Sequence, residues 1–396
     1  MYVELAILAL FVFVYSLIAG RVDRAAISGP MIFVVAGFLM GQYGLGWFKG
    51  SATSQDLRVL ADLTLAIVLF NDAATANLSV LKRQFRIPTR MLLVGLPGAI
   101  VLGFSVAVLL FESLSIYEAA ILATMLAATD AALGKAVITN EAVPDRLRQG
   151  LNVESGLNDG ICVPILLFFI ALTVSSEHGG HSTSAMALVA QELGIGMAVG
   201  VGLALFGSNL LRWCVKREWD SKIWMQITAV GLAISCFAVA DSLHGSGYIA
   251  AFTGGMFFGY RERQSTHKLV LASEGIGEAL ALVTWMLFGA MVIGPALKLF
   301  SWDVVLYALL SLTLIRMVPI YLSLAALGES VASRLFMGWF GPRGLASIVF
   351  AIMVINEGVP NGELLALVVI CTVFLSLVSH GVSATPLANW MGNKER

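Results

Sequence analysis

Two acids, two amides and a hydroxyl are concentrated in ten residues at the start of a long apolar stretch. Residues 151–160 contain Asn152, Glu154, Ser155, Asn158 and Asp159, and they lead directly into the apolar run 161–170. A carboxylate at bilayer depth costs about 2.5–3.5 kcal/mol even on lenient insertion scales, so it needs a partner or a function. At helical spacing Ser155, Asn158 and Asp159 lie on adjoining faces. Together these residues predict an oxygen-rich patch that can bind a small cation or a proton.

Asp159 is the first candidate for an ion-carrying group. A buried carboxylate can hold a proton or a cation, and competition between the two is the minimum chemistry that ion exchange requires. The alternative is that Asp159 only caps or pins a helix through hydrogen bonds. The neighbouring acid Glu154 and a second polar interruption elsewhere in the chain favour the ion-binding interpretation.

Thr129 and Asp130 begin the interruption 129–134 of another apolar stretch. Thr and Asp are preferred helix N-cap residues, so Asp130 can cap a half-helix. A capping Asp130 can still face a cavity, and the Thr129 carbonyl or hydroxyl can then act as a cation ligand. We therefore favour a site role for both residues over a purely structural one.

Three basic side chains fall inside apolar spans, and each needs a partner there: Lys135, Arg316 and Arg343. Acids and the C-terminal ends of helices are the expected partners. Glu154 can pair with Arg316 or with Arg343, and we favour such a salt bridge for Glu154 over direct ion binding. Lys135 lies near the end of its span, where its long stem can reach the interface.

The remaining acids near spans are expected to be less central. Asp72, at the end of an apolar stretch, is a candidate for an access funnel or an outer ligand. The others are expected to be vestibule or interhelical hydrogen-bonding groups: Asp62, Glu192, Asp241, Glu274 and Glu278.

The elements that must position these residues are membrane helices. The chain has 396 residues, of which 58% are hydrophobic and 12% are charged, against about a quarter charged in soluble domains. This composition predicts an all-α polytopic membrane protein. Hydropathy predicts thirteen spans, at approximately 4–20, 30–48, 58–77, 89–111, 116–140, 149–174, 184–213, 222–241, 246–260, 269–294, 302–325, 332–356 and 362–388.

The distribution of the 24 Lys and Arg residues predicts the orientation. Outside the spans, only Lys49, Arg58 and Lys298 lie in loops after even-numbered spans, and all others follow odd-numbered ones. This asymmetry predicts an N-terminus outside and a C-terminus in the cytoplasm of a cell membrane. The scattered basic residues argue against a nucleic-acid partner. No Walker motif, nucleophile–base pair or metal cluster is visible, so neither an enzyme nor a cofactor is expected.

The odd number of spans suggests two six-span repeats of inverted topology. The first repeat is predicted at 1–175, a linker span at 176–221 and the second repeat at 222–396. Span five is interrupted at 129–134, and span twelve is interrupted at the matching place by 341–344. Paired interruptions in two halves are the best sequence indicator of a transport site.

Several motifs resemble the cation:proton antiporter-1 family, in particular its prokaryotic NhaP-type sodium/proton exchangers. The resemblance extends over essentially the whole chain and rests on 128–134, Val143, Pro144, Arg146, 152–160, Arg316 and 341–344. It implies a homodimer in the lipid membrane. Spans 4–6 and 11–13 would form an ion-carrying core, and the remaining spans a dimer scaffold.

Position by position, the resemblance implies Na⁺ ligation by Asp159, Asp130, Ser155 and Thr129. Asn158 becomes a supporting neighbour. Arg316, Arg343 and Glu154 become charge-balancing groups. Asp72 stands where the family often has an acid, but here the local sequence is Phe-Asn-Asp-Ala.

The function implied is exchange of Na⁺ or Li⁺ for H⁺ by alternating access. Because a related electrogenic branch has two adjacent Asp where this chain has Asn158 and Asp159, electroneutral one-to-one exchange is expected. A K⁺-preferring antiporter is the alternative within the class. A non-transporting sensor or a channel on the same fold is the alternative from another class.

Overall fold

The computed structural model describes residues 2–22, 28–48, 54–75, 86–177, 182–219, 221–262 and 266–395. All regular secondary structure within these ranges is helical, which confirms the predicted all-α class. The first half contains α1 (Tyr2–Val22), α2 (Gly29–Met40), α3 (Ser54–Thr75), α4 (Arg86–Leu110), α5a (Ile116–Met125), α5b (Ala131–Ile138), α6 (Asp145–Glu177) and α7 (Ser182–Lys216). The second half contains α8 (Lys222–Ser242), α9 (Gly247–Arg261), α10 (Thr266–Leu287, continuing to Ala296), α11 (Trp302–Ala325), α12a (Val331–Trp339), α12b (Leu345–Asn356) and α13 (Gly362–Glu395).

Many of these helices have the length and composition of membrane spans. Among the described residues, eight are long and apolar enough to cross a bilayer: α1, α4, α6, α7, α8, α10, α11 and α13. Helices α2, α5a and α12b are shorter but also apolar. Every predicted span overlaps one helix or one interrupted pair. Thirteen membrane crossings and their inverted-repeat symmetry remain predictions.

Both predicted interruptions are present, with one correction to their limits. The chain is non-helical at 340–344, between α12a and α12b, as expected. In span five the interruption lies at 126–130, because residues 131–134 already belong to α5b. The reason is a local cap. The Asp130 Oδ1 atom accepts a hydrogen bond from the Leu133 backbone N–H at 3.3 Å, which starts the helix immediately after Asp130.

The N-terminal end of α5a is anchored by a capping box. The Ser115 hydroxyl accepts from the Glu118 N–H, and the Glu118 carboxylate accepts from the Ser115 N–H at 2.8 Å. The same carboxylate accepts from the Asn361 backbone N–H at 2.9 Å. These bonds tie the start of α5a to the residue before α13, so the first interrupted helix is positioned against α13.

Helix α3 lies between two hydrophobic clusters. One face, with Leu65 and Leu69, packs in the largest cluster together with residues of α5a, α6, α12b and α13. The other face, with Phe70, packs with α7, α8 and α9. Close approach of α9 requires glycine, because a Cβ on Gly255 would collide with the Phe70 carbonyl oxygen. This packing holds the end of α3, and with it Asp72, beside α6.

Candidate ion-binding site

The two interrupted helices meet at Asp130. Its backbone N–H donates to the Pro342 carbonyl at 2.8 Å. Its Oδ2 atom accepts from the Leu345 N–H at 2.9 Å, while Oδ1 accepts from Leu133. One carboxylate therefore caps the N-termini of both α5b and α12b, where the helix dipoles favour negative charge. Asp130 also lines a cavity, so a capping Asp130 can face a cavity, as the sequence suggested, and its role in ion binding remains a prediction.

Arg343 is held by the opposite kind of helix end. Its Nη1 atom donates to the Ala127 and Ala128 carbonyls at 3.3 and 3.2 Å, just beyond the C-terminus of α5a. The negative end of the helix dipole lies at this terminus and also favours the positive guanidinium. The Arg343 side chain is fully buried. A helix C-terminus is thus its partner, which is one of the two kinds of partner expected for a buried cation.

Glu154 pairs with Arg316 rather than with Arg343, which resolves the alternative that the sequence left open. The Nη1–Oε1 distance is 2.7 Å and the Nη2–Oε2 distance is 3.0 Å. Both side chains are 1% exposed. A bidentate geometry of this kind gives strong, charge-assisted hydrogen bonds. The predicted salt bridge is confirmed, and the negative charge of Glu154 is balanced within the protein.

Ser155 and Asn158 are both hydrogen-bonded to Thr129. The Ser155 hydroxyl donates to the Thr129 carbonyl at 2.8 Å. The Asn158 amide donates to the Thr129 hydroxyl and, at 3.3 Å, to Glu154 Oε1. These contacts attach the α5 interruption to the middle of α6. The three residues are next to the cavity wall but are not part of its lining, so their roles as cation ligands remain predictions.

Unlike Glu154, Asp159 has a carboxylate oxygen without a partner. Its side chain is 6% exposed, and its Oδ1 atom is buried without a hydrogen-bond partner. Across the described ranges, it is the one carboxylate oxygen with that combination of properties. Leaving a buried polar atom unpaired is costly. A proton or a cation at this oxygen would remove the cost.

Asp159 lines a cavity of about 330 Å³. The polar part of the wall consists of Asn71, Asp72, Asp130, Lys135, Thr139, Asn152, Asp159, Glu274 and Glu278. Its acids outnumber its one basic side chain, so the cavity favours cations over anions. No three His, Cys, Asp or Glu side chains in the described part of the chain are grouped closely enough to hold a metal ion together. A cation there would need oxygens from other groups as well.

The structure adds several residues to the site and refines others. Glu274 and Glu278 are cavity residues, in agreement with the expected vestibule role. Lys135 does not extend freely toward the interface, because its Nζ lies 2.7 Å from Glu278 Oε1. Asn71 was missed by the sequence argument, although its position beside Asp72 in an apolar stretch was a usable signal. His380, isolated in the sequence, lies against the α12 interruption.

The fold and the site together define a class. An all-helical membrane protein with two interrupted helices crossing beside a buried, unpaired carboxylate has the features of an ion-coupled secondary transporter. Non-helical backbone at membrane depth is tolerated where it lines a cavity or is buried in protein, as both interruptions are here.

Comparison with known proteins identifies the family. The family described as "Sodium/hydrogen exchanger, transmembrane" matches residues 7–390. The chain therefore belongs to the sodium/hydrogen exchanger family and is a multi-pass membrane protein. This result confirms the resemblance inferred from the motifs.

Curated relatives and a solved structure agree with this assignment. The K(+)/H(+) antiporter NhaP of Alkalimonas amylolytica is 25% identical over 402 residues, covering 98% of this chain and 66% of the relative. The K(+)/H(+) antiporter NhaP2 of Shewanella sp. (strain ANA-3) is 23% identical over 370 residues, covering 92% and 63%. The chain thus spans slightly less than two thirds of these relatives.

The fold is shared with the sodium proton antiporter MjNhaP1 from Methanocaldococcus jannaschii at pH 8. The TM-score is 0.80 at 20% sequence identity, and the superposition covers 100% of this chain and 99% of that one. At this level of identity the similarity concerns the fold.

Proposed function

We propose that this chain is a secondary antiporter that exchanges Na⁺ or Li⁺ for H⁺, with the two ions competing for Asp159. The observation that carries the proposal is the buried Oδ1 atom of Asp159, which has no partner and belongs to a cavity-lining residue. A proton or a cation can each satisfy this oxygen. Binding of one removes the favourable site for the other, and that exclusion couples the two fluxes.

The surrounding charges support one-to-one, electroneutral exchange. Arg316 balances Glu154 through two hydrogen bonds. Two helix N-termini stabilise the negative charge of Asp130. Asn158 is a neutral amide that donates to its neighbours. Asp159 is then the carboxylate left to exchange its ion, and Asp72 in the cavity wall acts as an outer ligand that attracts the cation.

Alternating access would come from movement of a core against a scaffold. The core comprises α4–α6 and α11–α13, which contain both interruptions, and the remaining helices form the scaffold of a homodimer in the lipid bilayer. Helix α3 packs both with helices of this core and with α7, α8 and α9. The inverted repeats 1–175 and 222–396, the linker 176–221 and an outside N-terminus are part of the same proposal. The ions are substrates, and neither a cofactor nor an enzymatic step is required.

A K⁺-preferring antiporter is the alternative, favoured by the names of the K(+)/H(+) antiporters that this chain resembles. The carboxylate chemistry of Asp159 is the same for either cation. Ion preference depends on the oxygens that join Asp159 when a cation binds. A sensor or a channel on this fold is less favoured, because neither requires a carboxylate that binds two ions in turn.

The test is ion-dependent collapse of a pH gradient in reconstituted vesicles. We expect Na⁺ or Li⁺ to collapse an imposed gradient, with K⁺ the more effective ion if the alternative holds. Asp159→Asn should abolish the response. Asp303→Asn, which changes an exposed acid at the start of α11, should not. Failure of all three ions would exclude the exchanger, and a flux that follows membrane voltage would indicate a channel.

A further inference from the structure

We propose that Ser376, His380 and Ser383 form a clamp on α13 that positions the α12 interruption, with His380 as its central positioning residue. The three residues follow one another at intervals of four and three, so they lie on one face of α13. The clamp contacts Trp339 and Arg343, the residues on either side of 340–342. Only the predicted effect of the clamp on transport rests on the proposed function. The structural part of the proposal stands without that function.

One end of the interruption is held through Trp339, the last residue of α12a. His380 Nε2 lies 2.8 Å from the Trp339 carbonyl oxygen. Since a carbonyl only accepts hydrogen bonds, Nε2 must carry the hydrogen. The two rings also stack, with centroids 5.0 Å apart and planes at 28°. The Trp339 indole N–H donates to the Ser383 hydroxyl at 2.9 Å. Three independent contacts thus fix this residue to α13.

The other end is held through Arg343. Its backbone N–H donates to the Ser376 hydroxyl oxygen at 2.7 Å. The Ser376 hydroxyl is 3.2 Å from His380 Nδ1. Nδ1 also lies 3.0 Å from the Ser376 carbonyl oxygen and 3.4 Å from the Ser379 hydroxyl. In a neutral ring with its hydrogen on Nε2, Nδ1 only accepts, so it pairs with a serine hydroxyl and not with the carbonyl, and the Ser376 hydroxyl can donate to it. A continuous path of hydrogen bonds then runs from Arg343 through Ser376 and His380 to Trp339.

The position of this segment determines the geometry of the ion site. The Pro342 carbonyl accepts from the Asp130 N–H, and the Arg343 guanidinium binds the carbonyls beyond α5a. A shift of the 340–344 backbone would therefore move Asp130 relative to Asp159. His380 is 1% exposed and is absent from the cavity lining. It acts through the backbone rather than by touching the cation.

The sharpest test compares His380→Leu with His380→Gln. The Gln amide can place a donor where Nε2 lies, whereas Leu removes both hydrogen bonds. We expect His380→Leu to raise the half-saturating cation concentration on the order of tenfold, because the loss of buried hydrogen bonds weakens the positioning of the interruption. His380→Gln should recover most of the wild-type value. Similar defects in both variants would refute the positioning role.

A matched control lies one turn earlier on the same helix. Thr372 is fully buried, and its hydroxyl donates to Val368 within α13. Thr372→Val therefore deletes a buried hydroxyl without disturbing the clamp and should leave the half-saturating concentration unchanged. Ser376→Ala, the corresponding deletion within the clamp, should raise it. Equal effects of these two variants would show general destabilisation and overturn the proposal.

Hydrogen–deuterium exchange separates the clamp from the transport function. In His380→Leu and Ser376→Ala the amides of 341–345 should exchange faster than in the wild type, while Thr372→Val should not change them. This readout does not require any transport activity. Unchanged exchange in both clamp variants refutes the clamp even if transport is impaired. A wild type without cation-dependent proton flux refutes the proposed function instead.

Discussion

The Glu154–Arg316 pair should behave as a single energetic unit. Glu154→Gln leaves a buried guanidinium without its counter-charge, and Arg316→Met leaves a buried carboxylate near Asp159. Both side chains are 1% exposed, so water cannot replace the missing partner. Breaking a buried pair by removing one member costs about 3–5 kcal/mol. We expect each single variant to lose that much free energy of unfolding.

The double variant is the informative one. Glu154→Gln with Arg316→Met removes both charges of the pair, and the glutamine side chain can still bond to Thr129 and Asn158. If the single costs were independent, the double variant would lose about 6–10 kcal/mol. We expect it to lose no more than either single variant, which is a coupling energy of at least about 3 kcal/mol.

The assay is denaturant unfolding of purified protein in mild detergent, with transport measured in parallel. A less buried pair on α6 serves as the control, namely Arg148 and Asp145 at 3.2 Å, whose side chains are 24% and 59% exposed. Removing either should cost about 0–1 kcal/mol, with little coupling. Single costs at 154 and 316 that add within about 0.5 kcal/mol would refute the reasoning. A double variant that is stable but transports nothing would show that Glu154 is needed at the ion itself.

Two further predictions concern the cavity. Gly344→Ala should abolish cation-dependent proton flux, because the added Cβ collides with the Asp130 carboxylate that caps α12b. The control Gly202→Ala, where a Cβ meets no atom within 4 Å, should leave flux unchanged. Normal flux in the Gly344 variant would contradict the proposed geometry. Lys135→Met frees the Glu278 carboxylate at the cavity wall and should lower the half-saturating cation concentration at low salt by about twofold, an effect that salt screening reduces. An equal value for wild type and variant at low salt would rule out that role for the ion pair.

Much of the architecture could be predicted because its causes are local. Apolar runs of about 20 residues specify membrane helices wherever they occur. The interruptions at 126–130 and 340–344 were found within a few residues, because Gly, Pro and capping residues act on their own stretch of backbone. The limit of α5b was misplaced for a related reason. From the sequence, the helix after Asp130 can begin immediately or one turn later. Only the hydrogen bond from the Leu133 N–H to Asp130 shows that it begins immediately.

The partners of the buried charges could not be predicted in the same way. Arg316 and Arg343 are both candidates for Glu154 in the sequence, and each lies more than 150 residues from it. Which guanidinium reaches the carboxylate depends on the packing of α11 against α6. The hydrogen bonds among Thr129, Ser155 and Asn158 also depend on side-chain rotations that helical spacing does not specify. His380 gave no signal, because its partners lie on α12a, in the interruption 340–344 and on its own helix.

The sequence by itself determined the class of protein, the positions of the apolar helices and the residue types that could exchange a cation for a proton. These follow from composition, hydropathy and the cost of a carboxylate in hydrocarbon, which act residue by residue. The tertiary structure decided which charges neutralise one another. It paired Glu154 with Arg316, placed Asp130 at two helix N-termini and left one oxygen of Asp159 without a partner. The physical reason is that hydrogen bonds and ion pairs depend on distances of about 3 Å between groups that are far apart in the chain.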